Sequence, residues 1–172
     1  MPLILLLCLG LICAPDDSKK TEEPQPGIED TYRSWVRELL TNNKLQQEKT
    51  IKSMLPDQRD IEYLFPRYAS RLWPIIENSR KQTVSNADKL VQAFAKAGRV
   101  TNIKVVNIRE NEKKQEVFAE VLKILPKEVP ICDLVVGFEK SSTVSGTYLF
   151  VHGRWIWFQA LETLPPVLKQ LD

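Results

Sequence analysis

The chain has 172 residues, 43% of them hydrophobic and 27% charged, with 24 Lys and Arg against 22 Asp and Glu for a net charge of +2. That is the make-up of an ordinary globular protein of single-domain length. No strongly basic stripe is present, so no nucleic-acid partner is expected.

The first element in chain order is an apolar run from Leu3 to Ile12. It is too short to cross a bilayer as a helix but suits the hydrophobic region of an export signal. Residues 1–14 are therefore read as a signal peptide, and the expected location is periplasmic or secreted. No Lys or Arg precedes the run, and Ala14 is followed by Pro15. Cys8 and Cys13 offer the alternative of a membrane-anchored lipoprotein, although Leu7 and Ile12 stand where a small residue normally precedes a lipidated Cys. Removal of the leader would leave Cys132 alone, with no intramolecular disulfide and an apolar environment as its simplest role.

Residues 15–27, which include "DDSKKTEEPQPG", are polar and proline-containing without periodicity, and are expected to be a flexible linker. Residues 28–172 are expected to form one α+β domain. Ile28, Tyr32, Trp35, Val36, Leu39 and Leu40 fall on helical spacing. Leu45, Ile51, Met54 and Leu55 predict a second helix that stops at Pro56. Asp57 and Asp60 resemble an N-cap with an acidic first turn for a third helix carrying Ile61, Leu64 and Phe65.

Pro66 is expected in the first turn of another helix that Pro74 kinks or breaks. Ser85 and Asp88 predict the opening of a helix that Gly98 closes. "VTNIKVVNI" then reads as a strand and "EKKQEVFAEVLKIL" as a helix ended by Pro126. Cys132, Leu134, Val136 and Phe138 alternate as in a strand, "KSSTVSG" is a polar turn, and Tyr148–Val151 and Arg154–Phe158 form a hairpin through His152-Gly153. "ETLPPVLKQL" is a short helix or irregular cover.

A helical layer, then a strand, then an antiparallel meander ending in "YLFVHGRWIWF", resembles the nuclear-transport-factor-two-like superfamily, a cystatin-like cone. "MLPDQRDIEYLFP" is also similar to stretches of uncharacterised exported bacterial proteins. The resemblance implies N-terminal helices packed on a curved, mainly antiparallel sheet. Its members include enzymes and non-catalytic modules, so it implies no single activity. The longer helical half and the helix after the first strand depart from the family pattern, and no acid/base pair of its enzymes matches here.

Candidate chemistry is sparse. His152 has a sufficient explanation as a turn residue, and a Cys132–His152 dyad needs a register that puts Cys132 level with the turn. Asp133 and Glu139 share a strand face, and solvated charges are their simplest reading. No metal-ligand spacing or phosphate loop is present, and no cofactor is expected.

The aromatic hairpin is apolar on both faces. Core packing explains much of it. The functional reading is a ligand or partner surface at Tyr148, Arg154, Trp155 and Trp157, with Arg154 orienting an anionic group. The sequence thus points to an exported, non-catalytic binding or accessory domain with a small molecule or envelope protein as partner. The alternative is a small acid/base hydrolase or isomerase with a site in the sheet cone. Membrane contact is expected only through a lipid anchor, and self-assembly through the sheet face is a further possibility.

Overall fold

A computed structural model describes residues 27–141 and 144–171. The expected signal peptide, 1–14, and all of the expected linker except Gly27 lie outside the described residues. The described chain is α+β: α1 (Ile28–Leu39), α2 (Lys44–Met54), α3 (Gln58–Leu64), α4 (Ala69–Ser85), α5 (Ala87–Ala97), β1 (Val100–Asn107), α6 (Glu112–Ile124), β2 (Ile131–Phe138), β3 (Val144–Val151), β4 (Arg154–Phe158) and α7 (Leu164–Leu171). None of these helices is long and apolar enough to cross a membrane.

The strands form one antiparallel sheet in the order β1-β2-β3-β4. Because side chains alternate across a strand, β2, β3 and β4 supply apolar groups to both faces. Cys132, Leu134, Val136, Tyr148 and Trp155 pack with Tyr32, Trp35, Leu39 and Ile51 of α1 and α2. Ile131, Leu149, Val151, Ile156 and Phe158 pack on the other side with residues of α3, α4, α6 and α7. The sheet is therefore layered by helices on both faces.

Local chemistry explains most boundaries. The Asn43 side chain accepts from the Gln46 backbone N–H at 3.2 Å to start α2, and Asn111 caps α6 in the same way. The α1–α2 seam is stitched by Glu38, which accepts from Thr50 Oγ1 at 2.6 Å and Gln46 Nε2 at 3.0 Å. The hydrogen bond from Thr50 is the main reason its carboxyl titrates lower than usual; burial works the other way.

Several expectations need correction. Pro74 does not break α4, which runs through it from Ala69 to Ser85. Pro74 and Ser70 are both exposed, so the Ser70 carbonyl that loses its helical donor can be hydrated. The helix begins at Ala69 rather than Pro66, which lies in a turn. Ser85 does not cap α5: its hydroxyl donates back to Gln82 O at 2.9 Å, and Asn86 forms the junction. Leu40, on the helical spacing of the first helix, is 43% exposed, and Leu45, which helped to predict the second helix, is 80% exposed. The polar turn before β3 is also shorter than expected, since Val144 already pairs with Val136.

Candidate functional site

The β3–β4 turn forms as the dipeptide demands. His152 and Gly153 have φ of 49° and 78°, the two positive values of a type I′ hairpin. Its tip is tied to the start of α3. Asp57 and Asp60 form a capping box: Asp57 Oδ1 accepts from Asp60 N at 3.1 Å, and Asp60 Oδ2 accepts from Asp57 N at 2.8 Å. Asp60 is only 1% exposed.

Arg154 reaches across to this box. Nη1 donates to Ser53 O at 2.7 Å, while Nη2 donates to Asp57 Oδ2 at 3.2 Å and to Asp60 Oδ2 at 2.5 Å. His152 Nδ1 donates to Asp60 Oδ1 at 3.2 Å, and its ring lies 5.3 Å from that of Tyr63, whose hydroxyl donates to Glu128 at 3.1 Å. Burial tends to raise the Asp57 carboxyl, but backbone N–H donors and the charges of Arg154 and Arg80 outweigh it and hold it below its usual range. The Arg154 guanidinium is thus spent on internal partners. It serves as a clamp between hairpin and helix.

Of the four residues expected to share a surface, the strand pleat leaves Tyr148, Trp155 and Trp157 on one face and sets Arg154 on the other. Tyr148 and Trp155 are 5% and 9% exposed and belong to the core. Tyr148 stacks on Trp35 at 6.2 Å and meets Tyr32 edge-on at 6.2 Å, and burial raises its phenol well above the usual value. Trp155 meets Phe150 edge-on at 5.2 Å.

Trp157 alone of the expected aromatics is only partly buried, packed against the edge of that core. Its indole lies over Gly146, where an added Cβ would sit 3.1 Å from Trp157 Nε1. From there Trp157 borders a groove of about 460 Å³ with Ser79, Gln82, Thr83, Asn86 and Gln159. Lys89 is the one charged residue among those lining it. Gln159 Nε2 donates to Thr83 Oγ1 at 3.5 Å, and Thr83 Oγ1 donates to Ser79 O at 3.0 Å. Sequence reasoning found the tryptophan but missed the polar wall, which comes from the junction of α4 and α5.

A neighbouring cavity of about 320 Å³ is bordered by Lys114, Asp133, Thr147, Trp157 and Glu162. Asp133 is not the solvated strand charge expected from alternation: it is 5% exposed, because α6 and α7 cover that face. Thr147 Oγ1 donates to its Oδ1 at 2.7 Å and Lys114 Nζ pairs with its Oδ2. Both carboxylate oxygens are engaged.

The Cys132–His152 dyad does not form. Cys132 lies opposite Tyr148 in the sheet, while the imidazole is directed to Asp60. Burial and then the Asp133 charge push the Cys132 thiol up to about 12, which removes the thiolate such chemistry needs. Among the described residues no group of three or more His, Cys, Asp and Glu side chains is placed to hold a metal ion. Comparison of the chain with protein-family models, curated proteins and solved structures finds no match.

Proposed function

We propose that this chain is a non-catalytic binding or accessory domain whose ligand is a saccharide held in the groove at Trp157. The observation that carries the reading is the pairing of one accessible indole with a wall of amide and hydroxyl side chains. A sugar ring presents C–H groups from its faces and hydroxyls around its rim. The first kind of surface suits an aromatic platform. The second suits Gln82, Asn86 and Gln159, whose amides both donate and accept, together with the hydroxyl of Ser79.

The contacts from Gln159 to Thr83 and from Thr83 to Ser79 hold part of this wall in position before a ligand arrives. The leader reading adds an exported, periplasmic or secreted setting, in which envelope glycans are an accessible ligand class. The rival acid/base reading would rest on Asp133. Its two oxygens already accept from Thr147 and pair with Lys114, which leaves it poorly disposed to take a substrate proton.

The test is isothermal titration with soluble oligosaccharides, including N-acetylglucosamine oligomers, muropeptides and cellotetraose, alongside tryptophan fluorescence. Binding of at least one at about 1 mM or tighter is expected, with loss in Trp157→Ala and in the Asn86→Ala, Gln159→Ala double variant. Absence of binding across the panel would overturn the proposal.

A further inference from the structure

A second cleft, away from Trp157, lies between α1 and the start of β1. It has a volume of about 600 Å³ and is lined by Asp30, Arg33, Val36, Arg37, Leu40, Arg99 and Val100. Arg33 is partly committed, since its Nη1 donates to Val100 O at 3.5 Å. Arg37 and Arg99 are exposed, and neither makes a salt bridge with a described residue.

Three guanidinium groups and one carboxylate around one concavity leave two positive charges unbalanced. Like charges gathered without counterions repel, and a concave low-dielectric wall strengthens their field toward an incoming anion. Guanidinium forks match the oxygens of phosphate, and a phosphate monoester dianion supplies the missing two charges. The rest of the lining is apolar. Val36 and Val100 form part of it, and Leu40 keeps 43% of its surface exposed there.

We propose that this cleft binds a phosphate monoester of an apolar alcohol, with the phosphate between the arginines and the hydrocarbon against Val36, Leu40 and Val100. The monoester can come from a membrane lipid or from a free molecule, and the chemistry recognised is the same.

The test titrates the purified protein with hexyl phosphate, inorganic phosphate and hexanol, and sediments it with phosphatidylcholine vesicles with and without phosphatidic acid. Hexyl phosphate is expected to bind at least about tenfold more tightly than inorganic phosphate, because the chain buries apolar surface. Arg37→Gln and Arg99→Gln should each weaken it about tenfold or more with unchanged thermal unfolding, since both side chains are exposed. Leu40→Ser should reduce the advantage of hexyl phosphate without affecting inorganic phosphate. Co-sedimentation with phosphatidic acid that the arginine variants lose would identify the lipid as the source, and hexyl phosphate binding without co-sedimentation would identify a free molecule. No binding of hexyl phosphate, or binding that both arginine variants retain in full, would overturn the proposal.

Discussion

Replacing Asp60 with Ala tests the clamp between hairpin and helix. The side chain is 1% exposed, accepts from Asp57 N at 2.8 Å and faces both Arg154 and His152. Loss of a capping side chain costs about 1 kcal/mol. Breaking a buried charge pair costs about 3–5 kcal/mol when the abandoned partner is isolated. Arg154 is not isolated here: its side chain is 32% exposed, and it keeps Asp57 and Ser53 O. That part is therefore smaller, about 1–2 kcal/mol, and the total is about 2–3 kcal/mol. For a domain of this size the melting temperature should fall by roughly 5–10 °C. Urea and thermal unfolding followed by far-ultraviolet circular dichroism provide the assay, with Arg154→Met and the double variant completing a cycle. A coupling of about 1 kcal/mol is expected between the two sites. If Asp60→Ala costs less than about 0.5 kcal/mol, or the two substitutions simply add, Arg154 is not held as argued.

Three further outcomes follow from the same geometry. The Asp57 carboxyl is lowered in the folded state, so its ionisation stabilises the fold above its unfolded pKa, and that contribution is lost as pH falls through the folded value. Asp57→Asn keeps a competent cap, so its deficit relative to the wild type should be present at neutral pH and close in acid, as followed by urea titrations at a series of pH values. The thiol of Cys132, buried and raised to about 12, should escape iodoacetamide at pH 8 in native protein and react once the chain is unfolded, as peptide mass mapping would show. Trp155→Leu should lower stability by about 2–4 kcal/mol through a core cavity, whereas Trp157→Leu, at a partly buried position on the edge of that core, should cost less and lose saccharide binding.

Local signals carried the secondary structure well. The Asp57–Asp60 spacing announced an N-cap with an acidic first turn, which the structure shows as a capping box, and His152-Gly153 announced the tight hairpin, because each depends on a few adjacent residues. Pairings across the chain were not legible. Arg154 meets Asp60 from 94 residues away, and nothing in either segment names the other as its partner. The aromatic hairpin misled because its alternation is apolar on both faces, which is the pattern of a doubly covered strand as much as that of a binding surface. Asp133 failed for the same reason: a single charge in an alternating run reads as solvated until a Lys from another helix is folded over it. The Trp157 groove was half visible, through the indole alone.

The clamp also bears on the order in which the molecule is completed. Ser53, Asp57 and Asp60 leave the ribosome 101, 97 and 94 residues ahead of Arg154. Until then the α2–α3 corner carries two carboxylates without their cation, and the apolar stripes of the early helices have no finished sheet to cover. Contacts between such distant parts of the chain form slowly, and domains generally fold as units. A nascent chain truncated before the last hairpin should therefore be readily digested by protease, with protection arising in one late step as β4 is delivered.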